Sequence, residues 1–283
     1  MFYTIENEFL TAQINDFGAE LHSLRAKEDG HEYIWQGDPA VWTGQSPVLF
    51  PIIGRLLDDT YRYNGTAYSM PKHGFARKRA FTLVSCERNE AVFMLRSDGE
   101  TRACYPFDFE LYVKFMLGGK TLRVLHTVVN KNDGEMYFSL GAHPGFNCAL
   151  GDRLEFDKNE TVDTETIDSD SIRLAEKTPV LRNERTVTIT EHVFDRDALI
   201  LSGLRSKAVT LRTQTHAHEV RLTFGDVPYL GIWAKPGAPY VCIEPWCGVN
   251  DDRRPRADIS EKDAIVRLPA GSIFDLAYTA EIL

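Results

Sequence analysis

Thr121-Leu122-Arg123-Val124-Leu125-His126-Thr127-Val128-Val129 is the stretch that decides the fold class. Leu122, Val124, His126 and Val128 alternate with Thr121, Arg123, Leu125 and Thr127, a period of two that matches a strand and no helical face. Just upstream, Phe109-Glu110-Leu111-Tyr112-Val113-Lys114-Phe115 repeats the pattern, with Glu110 and Lys114 set against the apolar side. The next segments read the same way. Thr186 to Thr190 alternates strictly, and Ala208 to Phe224 reads as two strands around a turn near His216-Ala217-His218. Asn64-Gly65, Asp98-Gly99, Gly118-Gly119, Asp133-Gly134 and Pro236-Gly237 punctuate these runs as turns. Helical candidates are short; Asp38-Pro39-Ala40-Val41-Trp42 reads as one turn with Asp38 as its cap. No long amphipathic helix is expected. The pattern predicts an all-β chain, a large antiparallel sandwich, with residues 1–283 as one domain and no linker or repeat.

Composition limits the partners. The chain has 283 residues, 43% of them hydrophobic, enough for a sizeable core and too many for bulk disorder. A net charge of −9 argues against nucleic acid or an anionic membrane as the main partner, because both select basic surfaces. The segment Met1 to Glu8 lacks the basic and apolar regions of a secretory leader, and no apolar run approaches the roughly 18 residues of a membrane span. Cys86, Cys104, Cys148, Cys242 and Cys247 are odd in number and without zinc-ribbon spacing, so reduced thiols and a cytoplasmic location are expected. Asp251-Asp252-Arg253-Arg254-Pro255-Arg256 reads as a solvated surface loop between strands.

Four segments place titratable groups in unusual company. Glu244 ends an apolar run and meets Pro245 and Trp246; such a carboxylate is either a desolvated base or a strand-end residue that caps a turn or pairs with an arginine. His143 follows Ser139-Leu140-Gly141-Ala142 and precedes Pro144, and is either a proton donor or acceptor or a satisfied loop histidine. His73 sits in Lys72-His73-Gly74-Phe75-Ala76-Arg77. Arg55 follows Pro51-Ile52-Ile53-Gly54, and is a salt-bridge partner or a fixed donor to ligand oxygens. His216 and His218, two apart, are compatible with a metal pair, but no third ligand is visible and a hairpin tip is the better reading. His22, His31, His126 and His192 read as packing or surface residues. No nucleophile elbow, phosphate loop or dinucleotide fingerprint is present.

Taken together, Gly54-Arg55, His73-Gly74-Phe75-Ala76-Arg77, Asn130-Lys131-Asn132-Asp133, Gly141-Ala142-His143-Pro144-Gly145-Phe146-Asn147 and Ile243-Glu244-Pro245-Trp246 resemble the aldose 1-epimerase (galactose mutarotase) family, above all its LacX-like bacterial branch. The likeness runs over nearly the whole chain. It implies a β-sandwich with a sugar site on one concave face and no cofactor or metal. It also implies Glu244 as general base and His143 as general acid. Arg55 and His73 match residues that hold sugar oxygens, and Arg77 is a further binding residue in this branch. A family aspartate that contacts hydroxyls falls near Asp195 and Asp197, with Asp197 preferred. Trp233 and Trp246, around Glu244, offer an apolar platform to a sugar face or else belong to the core.

Two departures, Lys72-His73-Gly74-Phe75 in place of a Leu-His-Gly-Gly type segment and Gly145 in place of an aromatic, point away from galactose itself. The expected activity is interconversion of α and β anomers of an aldose. The alternatives are a hexose-6-phosphate 1-epimerase using Lys72, Arg77 and Arg79, and a non-catalytic carbohydrate-binding protein on the same scaffold. The expected partner is a small sugar, with the protein a monomer or homodimer. Either catalytic reading requires Glu244 and His143 to meet at a pocket sized for a pyranose.

Overall fold

The computed structural model describes residues 1–283, and its architecture is the large antiparallel β-sandwich expected. Thirteen strands form one continuous antiparallel path, and two more pair beside it. The path runs Val48–Leu49, Leu140–Ala142, Tyr240–Cys247, Tyr229–Trp233, Leu199–Ser202, Arg153–Ile167, Ala208–Arg212, Val220–Thr223, Ile273–Ile282, Thr121–Asn130, Phe109–Gly118, Glu90–Arg96 and Thr82–Cys86. Arg153–Ile167 joins its two halves. Its first residues pair with Ala208–Arg212 and its last with Leu199–Ser202. A three-stranded sheet, Phe2–Glu6, Leu10–Asn15 and Glu20–Ala26, packs its buried Ile5, Ala12 and Ile14 into the same core.

The alternation read from the sequence is the burial pattern. Along Thr121–Asn130, Leu122, Val124, His126, Val128 and Asn130 are buried. Along Phe109–Gly118, Phe109, Leu111, Val113, Phe115 and Leu117 point inward. Each such aliphatic or aromatic side chain contributes roughly 1.5–3 kcal/mol on removal from water. Asn64-Gly65 is a two-residue hairpin turn with both residues at positive φ, the requirement that favours Asn-Gly there. The Asp38–Trp42 turn forms, with the Asp38 carbonyl accepting from Val41 and Trp42.

Two expectations are corrected. Asp98-Gly99 is not a simple turn but the start of the one α-helix, Gly99–Cys104. The Asp98 carboxylate accepts from the Thr101 backbone N–H and the Thr101 hydroxyl accepts from the Asp98 N–H, a reciprocal capping box. The charge run after Asn250 is not freely solvated. Asp251 is buried and pairs with the buried Lys262 at 2.7 Å, and Arg256 reaches Asp252 at 3.1 Å. Arg173 joins this network through Asp263 and donates to the Asn250 carbonyl. The run therefore anchors the chain just after the strand that carries Glu244. All five cysteines are free thiols. No helix is long and apolar enough to cross a membrane.

Candidate active site

Tyr240–Cys247 is buried at every position, because it is covered on both faces and paired on both edges. On one edge its register is Gly231↔Glu244. On the other it pairs with two short strands in turn, Gly141↔Trp246 and Gly145↔Cys242. These two registers are continuous across the gap, so the residue directly across from Glu244 is His143. Pro144 interrupts the ladder there; its carbonyl still accepts from the Ile243 N–H at 3.2 Å. Directly opposed residues share a sheet face at close range. His143 Nε2 consequently lies 3.2 Å from Glu244 Oε2. The pair meets side by side on one wall of the pocket rather than across it.

Packing holds both groups. The Trp246 indole Nε1–H donates to Glu244 Oε2 at 3.2 Å. That indole spans both neighbouring strands over glycines: a Cβ on Gly141 or Gly231 would stand 2.8 or 2.7 Å from it. The His143 ring is stacked on Trp42, with centroids 5.2 Å apart, and met edge-on by Trp233 and His73. Trp42 reaches this position from a distant loop because Gly145 leaves room for it; a Cβ there would lie 3.2 Å from its ring. Leu49, Ile53, Ile200 and Val249 pack with Trp246 in a small apolar cluster.

Burial dominates the electrostatics. It pushes the Glu244 carboxyl well above the usual carboxylate range, with the indole hydrogen bond acting the other way. It pushes the His143 imidazole down to about 3. Both groups are thereby driven toward their neutral forms. His73 is similarly held neutral by burial. Its ring Nδ1 accepts from the Gly54 N–H at 3.1 Å, and the His73 backbone N–H donates to the Gly54 carbonyl at 2.8 Å. The ring proton is thereby assigned to Nε2, which makes His73 a donor. Gly54 adopts a φ of +67°, and a Cβ would overlap Asn250.

These residues line one small, open pocket. Lys72, His73, Arg77, His143, Asp197, Trp233, Glu244 and Trp246 all face it, although they come from four distant parts of the chain. Asp197 lines it and Asp195 does not; Asp195 pairs with His192 outside. Trp233 is half-buried at the pocket, whereas Trp246 is buried and holds Glu244. Arg55 departs from expectation. Its Nε and Nη2 make a fork to the Asp59 carboxylate at 2.8 and 2.6 Å, and it does not line the pocket. Asp59, four residues on, captures the guanidinium as the chain turns away after Gly54. Arg77 stands at the pocket instead. Arg79, the third basic candidate, is held by Asp98 and Glu100.

Sequence reasoning missed Trp42 and Asn250 as pocket residues. The signal for Trp42 was its setting, an exposed-looking tryptophan ahead of Gly44 in a short turn. Asn250 had only its position after Gly248-Val249. His216 and His218 do not converge on a metal: His216 faces Glu219, and His218 stacks on His31. The group able to offer metal ligands is instead His143, Cys242 and Glu244, whose atoms lie within 4.8 Å of one another, with His143 Nε2 and Glu244 Oε2 3.2 Å apart.

The fold agrees with the comparisons with known proteins. Residues 1–252 match the family model described as aldose 1-epimerase. The chain belongs to the aldose 1-epimerase family. It is 33% identical over 280 residues to the chromosomal protein LacX of Lactococcus lactis subsp. lactis, covering 93% of each chain. A galactose mutarotase related enzyme from Lactobacillus acidophilus superimposes with a TM-score of 0.95 at 32% identity, covering 100% of this chain and 97% of that one. A galactose mutarotase-like protein from Lactobacillus casei gives the same TM-score and identity over 100% of both chains.

Proposed function

We propose that the protein is a cofactor-independent aldose 1-epimerase that exchanges the α and β anomers of an aldose by ring opening and reclosure. The observation that carries this reading is the contact between His143 and Glu244 at 3.2 Å inside a pocket that also offers His73, Asp197 and Trp233. Anomer exchange needs one proton removed from the O1 hydroxyl and one delivered to the ring oxygen. Two adjacent titratable groups at one carbon supply both.

The neutral pair and the ion pair of His143 and Glu244 contain the same protons, differently placed. Burial favours the neutral form. Sugar hydroxyls entering the pocket replace part of the lost solvation, and the Trp246 N–H already favours the carboxylate. With sugar bound, ionised Glu244 takes the O1 proton while protonated His143 delivers its own to O5. The C1–O5 bond breaks as C1=O1 forms. Rotation about C1–C2 presents the other carbonyl face, and reclosure reverses both transfers. His73 Nε2–H donates to a sugar oxygen, Asp197 accepts from hydroxyls, and Trp233 packs against an apolar ring face. Arg77 supplies a further donor. Positioned acid and base groups each contribute about 10²–10⁴-fold, enough for a reaction that already proceeds in water.

Two-dimensional exchange NMR on a panel of aldoses tests this directly. Anomer cross-peaks should grow with enzyme concentration for at least one sugar. Saturable sugar binding with no accelerated exchange would refute it and leave a carbohydrate-binding protein on an epimerase scaffold.

A further inference from the structure

The His143 imidazole is tied at one nitrogen only. Its Nε2 faces Glu244, but its Nδ1 is buried and has no hydrogen-bond partner. A histidine that moves protons commonly has its second nitrogen bonded to a carbonyl or carboxylate, which orients the ring. No such group meets Nδ1 here. What covers the ring instead is aromatic. Trp42 is stacked on it, with 5.2 Å between centroids and 30° between planes. Trp233 and His73 meet it edge-on at 5.8 and 6.0 Å.

Trp42 is itself held in place. Tyr240 stacks on it at 5.2 Å, and Trp35 stacks on Tyr240 at 4.9 Å. The Trp35 Nε1–H donates to the Trp42 carbonyl at 2.8 Å. Three residues on, the Gln45 side-chain amide donates to the His22 and Trp35 carbonyls at 2.8 and 2.7 Å. The Gln45 carbonyl accepts from the Gly145 N–H at 2.8 Å, which ties the turn carrying Trp42 to the chain two residues after His143. A Cβ on Gly44 or Gly145 would stand 2.5 or 3.2 Å from the Trp42 ring. The indole therefore sits where both glycines leave space for it.

A tryptophan face in this position treats the two forms of the imidazole differently. Its quadrupole attracts a cation within about 6 Å of the ring centroid, most strongly where water is excluded. His143 is buried, and burial works against its charged form. The Glu244 carboxylate, when ionised, favours that form from the edge of the ring, at Nε2. Trp42 favours it from the face and occupies neither nitrogen, so Nε2 stays free for proton transfer. An aliphatic side chain could fill the same volume but would have no preference for the charge.

We infer that Trp42 is a positioning residue of the acid–base pair: its indole face holds the His143 ring opposite Glu244 and favours the imidazolium over the neutral ring. The effect on protonation follows from the stack alone. Its benefit to catalysis, delivery of the proton to the ring oxygen, rests on the epimerase reading above. Trp42 then acts on kcat and much less on KM.

The test compares Trp42→Leu, Trp42→Phe and a series with mono-, di- and trifluorotryptophan placed at position 42. The fluorinated residues keep the shape of the indole and weaken its π face in steps. Anomer exchange is followed by NMR at several concentrations of an aldose that the wild type turns over. The ring-nitrogen chemical shifts of His143 are read at neutral pH in the whole protein. Trp42→Leu should lower kcat about 10-fold with KM within about threefold, and Trp42→Phe should recover most of the loss. The rate should fall with each added fluorine. The Nε2 resonance should move toward that of neutral imidazole in Trp42→Leu and along the fluorinated series. A rise in KM with kcat unchanged overturns the inference, because Trp42 would then serve sugar binding. Equal losses in Trp42→Leu and Trp42→Phe with no trend along the fluorinated series also overturn it, because packing alone would then explain them. If Trp42→Leu does not fold, the fluorinated series decides. A wild-type protein that exchanges no aldose refutes the epimerase reading. The His143 shifts then decide the inference: movement along the series supports it, and identical shifts overturn it.

Discussion

His143, in the two-residue break between the strands Leu140–Ala142 and Gly145–Asn147, sits directly opposite Glu244 on Tyr240–Cys247, with Nε2 and Oε2 3.2 Å apart. Their meeting therefore depends on sheet register and not on loop placement. Groups set on paired strands keep their geometry as the pocket fills, which suits a reaction that needs two coordinated proton transfers.

Glu244→Gln and His143→Asn should each lower anomer exchange by about 10²–10⁴-fold. Both substitutions remove the ability to exchange protons; Gln keeps the shape of the Glu244 side chain, whereas Asn is smaller than the imidazole and gives up its stack on Trp42. Circular dichroism spectra should stay close to wild type in both, and the denaturation midpoint should fall modestly in His143→Asn alone. Exchange rates within a few-fold of wild type in either variant would refute the assignment.

The pH dependence of exchange should be flat through neutrality. A lone solvated histidine would give a limb near pH 6.5. Here, adding a proton to the pair means charging His143, which burial holds down to about 3. Removing one means ionising Glu244 beside a neutral imidazole, and burial holds its carboxyl well above the usual range. The rate should thus stay level across neutrality, fall on the acid side only as pH approaches about 3, and fall on the alkaline side as Glu244 ionises. A half-maximal point near 6.5 would contradict this.

Gly231→Ala should damage both stability and activity. The new Cβ would stand 2.7 Å from the Trp246 ring, which must shift and take its Nε1–H away from Glu244. Overpacking of this kind costs about 1–3 kcal/mol. Urea unfolding should show the loss, and exchange should fall further than the lost folded fraction accounts for.

Stability should weaken in mild acid through His126. This histidine is buried on the core strand Thr121–Asn130, its Nδ1 has no partner, and burial lowers its pKa to about 4. Between about pH 6.5 and 4 the unfolded chain takes up a proton that the folded chain refuses, so stability falls as pH drops through that window. The full effect is on the order of 3 kcal/mol. His126→Leu should reduce the slope of this part of the stability profile, the remainder coming from His143 and His73, which burial also holds neutral; an unchanged slope would show that His126 does not contribute.

Asp197→Asn should weaken sugar binding or exchange, while Asp195→Asn should leave both within about twofold, since only Asp197 lines the pocket. Equal losses in both variants would shift the role to the whole loop.

Much of this molecule was legible residue by residue. Alternation along Thr121 to Val129 and Phe109 to Phe115 determined strands and their inward faces, because a strand's side chains must alternate whatever it pairs with. Glu244, His143 and His73 stood out as candidates in their apolar, glycine- and proline-rich surroundings, with a structural alternative left open, and their roles came from the family resemblance. The capping box at Asp98 was overlooked because an Asp-Gly dipeptide fits a turn equally well over so short a span. Arg55 was misjudged because nothing local says whether a guanidinium will find a ligand or, as here, Asp59.

Tertiary structure alone decided the rest. Alternation states which face a residue occupies but not which strand lies beside it, and only long-range register puts His143 opposite Glu244. The arrival of Trp42 over the imidazole required a gap at Gly145. Composition and period are local properties set by covalent order, whereas pairing, desolvation and counter-ion choice depend on contacts between residues far apart in the chain.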